Sequence, residues 1–263
     1  MTSPYENRPT EDWRTITEHL VDNHPLKTDV ILDAAKVSWD RLWNSTVGDT
    51  ISGFKLSELD PPATIVGYFF EKIFAKELSR RFPQTWIGGK GSQKDLHCLT
   101  DDSMSVEIKS SGQLGYKIYG NRSYGQKVEN EDAAKKDKSG YYITVNFYGQ
   151  TLTLLRFGWI DSHDWQAQKS ATGQMAGLSD DTYKHKLLTI SDEYMLRGPI
   201  QLIDGVGAKA AADLCSHGFR TIRDLVSRSE KDVPKQFLRH WTKARKQFQE
   251  IIQKSEADSK TVF

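Results

Sequence analysis

The chain has 263 residues, enough for one large domain or for a core domain with a small accessory domain. Its net charge of +1 does not by itself indicate an anionic partner. Two cysteines, Cys98 and Cys215, exclude a disulfide framework, and no segment reaches the roughly 18 apolar residues of a membrane-spanning helix. We therefore expect a soluble, cytoplasmic protein.

Helices are predicted first along the chain. Thr10 and Thr28 each begin a segment with the composition of a helix start. A third, largely apolar helix is predicted from about residue 63 to residue 81, with Asp60 as its N-cap and Pro61 at its first helical position.

One carboxylate of the third helix stands among small and apolar neighbours. Glu71 shares a helix face with Gly67, Ala75 and Leu78, whereas Lys72 and Glu77 are expected at the surface. A carboxylate in such surroundings needs a partner, and a metal ion or a lysine would serve.

Strands follow the third helix, over residues 85–87, 94–99 and 104–109. If the turn at residues 100–102 has three residues, Asp95 lies directly opposite Glu107, and both carboxylates project from one face. A two-residue turn would place them on opposite faces, so the sequence leaves the register open. Lys109 lies on the same face as Glu107, because side chains alternate along a strand.

This group of residues suits metal-assisted hydrolysis of a phosphodiester. Mg²⁺ takes hard oxygen ligands, often only one or two carboxylates with waters completing the octahedron. We predict that Asp95, Glu107 and the carbonyl of Ile108 bind Mg²⁺, and that Glu71 completes the site directly or through water. Lys109 is expected to help position and deprotonate the attacking water. The competing interpretation is an exposed hairpin with surface ion pairs.

The arrangement resembles the PD-(D/E)xK nuclease superfamily over about residues 60–160. The matching residues are Glu71, Asp95, Glu107 and Lys109, and Lys94 stands where that superfamily often has proline. The resemblance implies an α/β (α+β) core, in which helices flank a mixed sheet and an acidic hairpin provides the metal ligands.

Within that superfamily the whole chain resembles type II restriction endonucleases, including those of the ScaI type. The resemblance implies Mg²⁺-dependent cleavage of both strands of a palindrome in double-stranded DNA, usually by a homodimer. It also implies a companion DNA methyltransferase that protects the host genome.

By the same resemblance, the segment after Lys109 approaches DNA. Its polar side chains are suited to phosphate and base-edge contacts, although their individual roles stay open. The candidates are Gln113, Lys117, Asn121, Arg122 and Lys127. Beyond them, residues 141–148 and 151–159 are predicted to form a hairpin that turns at Gly149-Gln150.

The C-terminal part has a different character. Residues 197–254 contain twelve Lys and Arg against six Asp and Glu, which indicates a face that docks phosphate. Gly205-Val206-Gly207, followed by a helix, resembles the helix-hairpin-helix family. The glycines permit a tight turn with exposed amides at a helix N-terminus, where phosphate binds, and Lys209 stands beside the phosphate path.

The predicted organisation is a PD-(D/E)xK nuclease domain with N-terminal helices over residues 1–197, and a small all-α helix-hairpin-helix DNA-binding domain over residues 198–255. Two other functions stay open. The first is a structure-specific repair nuclease, because the combination also resembles the XPF family. That family, however, has Arg where this chain has Ile108, and usually two hairpins in tandem. The second is a noncatalytic DNA-binding protein.

Overall fold

The structure, a computed structural model, describes residues 2–49, 51–121, 138–167 and 175–260. Within these ranges, no helix is both long enough and apolar enough to cross a membrane.

The described residues form a mixed α/β fold, as predicted. The α-helices are α1 (Trp13–Asn23), α2 (Thr28–Asn44), α3 (Ala63–Arg81), α4 (Ala208–Ser216), α5 (Ile222–Val226), α6 (Leu238–Gln247) and α7 (Gln249–Lys260). The strands are β1 (Thr46–Val47), β2 (Phe54–Lys55), β3 (Trp86–Gly88), β4 (Leu96–Cys98), β5 (Val106–Ser111), β6 (Gly120–Asn121), β7 (Gly140–Tyr148), β8 (Thr151–Ile160), β9 (Gln166–Ala167), β10 (Met175–Gly177) and β11 (Leu187–Thr189).

The main sheet has six strands in the order β11-β8-β7-β5-β4-β3 and is flanked by helices. The predicted hairpin of β7 and β8 is confirmed, since the two strands are neighbours joined at Gly149 and Gln150. Smaller sheets pair β1 with β2 and place β10 between β6 and β9. The strands β4 and β5, in which the candidate carboxylates were predicted, thus belong to the main sheet.

Helix α3 has the predicted bounds, but its predicted N-cap is wrong. The helix begins at Ala63, and Pro62 precedes it without a side-chain cap. A proline disfavours helical backbone in the residue before it. Pro62 therefore keeps Pro61 out of the helix, and Asp60 lies too far upstream to cap it.

Glu77 of α3 is buried, so the prediction that it lies at the surface is wrong. Its side chain is 0% exposed and accepts hydrogen bonds from Arg41 of α2 and from Arg80 and Arg81 of its own helix. Burial opposes ionisation of Glu77, but the guanidinium groups outweigh it and lower the pKa to about 2. The ion cluster links α2 to α3, the helix that also contains Glu71.

A buried histidine supports the connection between β4 and β5. His24 Nδ1 accepts a hydrogen bond from the backbone N–H of Leu26 at 3.0 Å, and Nε2 lies 3.0 Å from the carbonyl oxygen of Met104. These contacts fit a neutral ring that donates from Nε2. Burial lowers the pKa of His24 to about 4, so the ring stays neutral near neutral pH.

The chain forms two compact units. The first consists of Met1–Gly112, Lys117–Val145 and Leu155–Ile190, and the second of Gln113–Tyr116, Asn146–Leu154 and Ser191–Phe263. The second unit has its own apolar core among the described residues of its helical part. Its most deeply buried members are Ile200, Ile203, Leu214, Ile222, Leu225 and Ala244.

Candidate active site

Strands β4 and β5 are paired in the predicted register. Leu96 lies opposite Val106, which places the preceding Asp95 opposite Glu107. The connection between the strands is longer than either turn considered from the sequence, and it contains a 3-10 turn at Asp102–Met104. Ser105 Oγ accepts a hydrogen bond from the backbone N–H of Cys98 at 3.0 Å, in place of a longer strand ladder.

The structure brings four predicted site residues together around the ammonium group of Lys109. Lys109 Nζ lies 2.7 Å from Glu107 Oε1, 4.0 Å from Asp95 Oδ2 and 3.2 Å from the carbonyl oxygen of Ile108. Asp95 Oδ2 also accepts a hydrogen bond from the backbone N–H of Ile108 at 2.9 Å. Both carboxylates therefore lie on one face of the hairpin, with the lysine between them.

The two carboxylates and the lysine perturb one another. Burial, and then the charge of Glu107, raises the pKa of Asp95 to about 6. Burial lowers the pKa of Lys109, but the charges of Glu107 and Asp95 outweigh that effect and raise it overall. Lys109 is therefore an ammonium group in this arrangement, and it donates hydrogen bonds to the carboxylate of Glu107 and to the carbonyl oxygen of Ile108.

Helix α3 places Glu71 at the same cluster. A Cβ atom added to Gly67 would lie 3.1 Å from Ser110 Cβ, so the backbone of α3 approaches β5 closely one turn before Glu71. The negative charge of Glu71 contributes to the raised pKa of Asp95. Glu71 is paired with Lys72, whose Nζ lies 2.5 Å from Glu71 Oε1.

The donor set of this cluster fits Mg²⁺. It offers three carboxylates and the Ile108 carbonyl, all of which are hard oxygen ligands. Two lysines, Lys72 and Lys109, balance part of the negative charge of the carboxylates. The carboxylates of Glu71, Asp95 and Glu107 are not drawn into one compact group, because Lys109 lies between two of them.

Among the described residues, a different trio brings its ligand atoms within 4.8 Å of one another: Asp161, His163 and Asp164. Its centre holds a buried lysine. Lys186 Nζ, 0% exposed, lies 2.9 Å from Asp161 Oδ2 and from both carboxylate oxygens of Asp164. Asp161 Oδ1 accepts a hydrogen bond from Trp159 Nε1 at 3.0 Å. A metal ion would have to displace the ammonium group of Lys186. We therefore interpret Asp161 and Asp164 as the partners of Lys186 in a buried ion cluster.

The predicted DNA-contacting residues after Lys109 are described only in part. Gln113 and Lys117 are exposed. Asn121 ends β6, opposite Met175 of β10. Arg122 and Lys127 lie outside the described residues.

The glycine hairpin has exposed backbone where it was predicted to bind phosphate. Gly205 has φ +78°, a conformation that favours glycine, and Gly207 directly precedes α4. Both glycines and Lys209 are exposed. A Cβ atom at Gly205 would lie 2.8 Å from Lys243 Nζ, which places a second ammonium group beside the turn.

Gln247 of α6 fixes the start of this turn. Its Oε1 accepts a hydrogen bond from the backbone N–H of Asp204 at 2.9 Å, and its Nε2 donates to the carbonyl oxygen of Leu202 at 3.0 Å. Val206, between the two glycines, is buried in the apolar core of the second unit. Gln247 and the apolar core thus hold the turn in place, while Gly205 and Gly207 are exposed to solvent.

The site and its hairpin can now be compared with known proteins. A sequence model of the ScaI restriction endonuclease family matches residues 3–191. The chain belongs to this family. It is 35% identical over 197 residues to the type II restriction enzyme ScaI of Streptomyces caespitosus, an alignment that covers 72% of this chain and 84% of the relative. No solved structure matches the chain.

The predicted function, a site-specific restriction endonuclease acting on double-stranded DNA, is therefore confirmed at the level of the family. The matched residues include the whole carboxylate–lysine cluster, from Glu71 to Lys109. They end before the glycine hairpin, so the family match says nothing about that element.

Sequence reasoning missed the surroundings of two predicted surface residues. Lys72 turns toward Glu71, and Glu77 is buried under three arginines. For Lys72 the available signal was its position beside a candidate metal ligand. For Glu77 the spacing to Arg80 and Arg81 signalled ion pairs within the helix, but not burial, which depends on Arg41 and the packing of a different helix.

Proposed function

We propose that this restriction endonuclease cuts both strands of duplex DNA by Mg²⁺-dependent hydrolysis, with the PD-(D/E)xK residues Glu71, Asp95, Glu107 and Lys109 as its active site. The observation that supports the proposal best is the position of Lys109 Nζ, 2.7 Å from Glu107 and 4.0 Å from Asp95 on one face of a hairpin. An ordinary exposed hairpin would not hold a buried Glu107 and the partly buried side chains of Asp95 and Lys109 so close together.

The residues have distinct roles in this proposal. Asp95, Glu107 and the Ile108 carbonyl hold the cation, and Glu71 completes its coordination directly or through water. Bound Mg²⁺ would polarise a phosphoryl oxygen and lower the pKa of a coordinated water. Lys109, kept protonated by its neighbours, orients the attacking water and stabilises charge on the phosphate by donating hydrogen bonds.

The DNA-binding surface continues from the end of β5. Gln113, Lys117, Asn121, Arg122 and Lys127 are the proposed contacts to phosphates and base edges. Cleavage of both strands of a palindrome requires two active sites related by a two-fold axis, so we propose a homodimer. A companion DNA methyltransferase would protect the host genome, with no direct contact implied.

We propose that residues 1–197 form the nuclease domain and that residues 198–255 form a helix-hairpin-helix DNA-binding domain. Its contacts are the amides of the turn at Gly205 and Gly207 and the ammonium group of Lys209, all exposed. Such contacts read the phosphate backbone, not the sequence, and so add affinity without specificity.

The decisive test is cleavage of unmethylated phage DNA. Purified protein with Mg²⁺ should produce discrete bands on a gel, and EDTA should abolish them, because the carboxylates alone cannot activate a water. Sequencing of the fragment ends would then identify the site and the cut positions. Cleavage restricted to forks or flaps would favour the repair-nuclease alternative. Binding without cleavage of any DNA would favour a noncatalytic protein.

Replacing both Gly205 and Lys209 with alanine should weaken DNA binding about tenfold, because a charged hydrogen bond contributes roughly 1.5 kcal/mol. The loss should be equal for specific and unrelated duplexes, and the salt dependence of binding should flatten by about one unit of slope. Lys231→Ala, an exposed lysine of the same unit, is the matched control. An effect confined to one DNA sequence would contradict a backbone-binding role.

A further inference from the structure

Lys72 belongs to the carboxylate cluster although it is outside the predicted motif. Its Nζ lies 2.5 Å from Glu71 Oε1, and the charges of Glu71 and Asp95 both act on it. Adjacent helix residues point about 100° apart and do not normally face each other. The contact therefore brings the ammonium group of Lys72, an exposed residue of α3, to the carboxylate of Glu71.

The exposed side of α3 carries two lysines, Lys72 and Lys76. Lys76, one turn after Lys72, is exposed and is the comparison for Lys72. Lys72 is 46% exposed, with its ammonium group 5.4 Å from the centre of the Tyr68 ring. It is the cation of the cluster that is open to solvent, whereas Lys109 is only 19% exposed.

Occupancy of the cluster by a cation changes the balance of charges. Lys72 and Lys109 neutralise two of the three negative charges of Glu71, Asp95 and Glu107. A divalent cation on Asp95, Glu107 and Glu71 would replace the neutralisation that Lys72 supplies and would repel its ammonium group. The side chain is then available to a new anion on the open side of the cluster, where the substrate phosphate must lie for hydrolysis.

We infer that Lys72 is a phosphate-binding residue of the active site, released from Glu71 by the divalent cation to contact a nonbridging oxygen of the DNA backbone. In the absence of metal it neutralises part of the negative charge of the cluster, and in the presence of metal it binds substrate. The inference rests on the proposed function of Glu71, Asp95 and Glu107 as metal ligands.

The test compares wild type with Lys72→Met, Lys72→Arg and the control Lys76→Met in the full-length protein. Binding to a duplex that contains the mapped cleavage site is measured over a salt series, once with Ca²⁺ in place of Mg²⁺ and once with EDTA. With Ca²⁺, Lys72→Met should lower the slope of log K against log[salt] by about 0.9, the value for one phosphate contact. With EDTA, where Lys72 stays paired with Glu71, its slope should equal that of wild type.

Single-turnover cleavage in Mg²⁺ provides the second measurement. Lys72→Met should cut roughly 10- to 100-fold more slowly, the factor expected for one charged hydrogen bond. Lys72→Arg should keep the slope and most of the rate, and Lys76→Met should behave as wild type in both.

Two results would overturn the inference. If Lys72→Met had the same slope as wild type with Ca²⁺, Lys72 would be a partner of Glu71 alone. If the slope changed equally with Ca²⁺ and with EDTA, Lys72 would be a general surface charge. Its failure is distinguishable from failure of the proposed function. If wild type cuts and Lys72→Met cuts equally well, only the inference fails. If wild type cuts no DNA in Mg²⁺, the proposed function itself fails.

Discussion

Glu107→Gln should abolish DNA cleavage while DNA binding persists. Glu107 lies opposite Asp95, and both face Lys109, so the substitution removes a proposed metal ligand and leaves the strand pairing in place. Several kilocalories per mole of transition-state stabilisation depend on the bound cation, which corresponds to a rate loss of ~10³-fold or more. Single-turnover cleavage in Mg²⁺ and duplex binding in EDTA measure the two properties separately.

Lys109→Met should cause a comparable defect, of about 10²- to 10⁴-fold in rate, because it removes the donor that orients the water and the phosphate. Glu11→Gln and Lys76→Met, at exposed positions outside the cluster, are the matched controls. Full activity in both Glu107→Gln and Lys109→Met would show that the hairpin carboxylates are structural. Loss of binding along with cleavage would instead indicate a folding defect.

Lys186→Met should destabilise the protein by about 3–5 kcal/mol, the cost of leaving buried charges without their partner. Lys186 Nζ contacts Asp161 and Asp164 at 2.9 Å and lies 4.3 Å from the centres of the Tyr5 and Trp13 rings. Without the ammonium group, two buried carboxylates repel each other. Urea unfolding followed by tryptophan fluorescence measures the loss.

The controls for this prediction separate charge from packing. Lys184→Met, at an exposed position of the same segment, should change stability little. Replacing Asp161 and Asp164 with Asn in the Lys186→Met background should recover most of the loss, because no unpaired charge then remains. In a variant with Asp95→Asn and Glu107→Gln, which lacks these two proposed Mg²⁺ ligands, EDTA should leave the stability unchanged. A large effect of EDTA on that variant would instead mean that Asp161, His163 and Asp164 hold a metal ion.

Local rules predicted a large part of the candidate site. Side chains alternate along any strand, so Glu107 and Lys109 had to share a face once β5 was recognised. The apolar run after Pro62 predicted the bounds of α3 and placed Glu71 on the stripe with Gly67. Gly205 and Gly207 predicted a turn, because a positive φ, found at Gly205, favours glycine.

The register of β4 and β5 lay beyond local rules. Alternation along one strand does not say which residue of the next strand lies opposite, and the turn has a different structure from the predicted one. A contact with a distant part of the chain stabilises that turn. His24, which precedes α2, lies within hydrogen-bond distance of the carbonyl oxygen of Met104. The meeting of Asp95 with Glu107 thus depends on packing as well as on the hairpin itself.

By itself, then, the sequence determined the elements, the faces of their side chains and the chemistry that those side chains can perform. Only the tertiary structure decided which charged side chains are buried and which residues they pair with. Lys186 is buried beside Asp161 and Asp164. Glu77 pairs with Arg41 of another helix, and Lys72 pairs with the neighbouring Glu71. The reason is physical: periodicity follows from backbone geometry within one element, but the electrostatic surroundings of a side chain are the sum of every element packed around it.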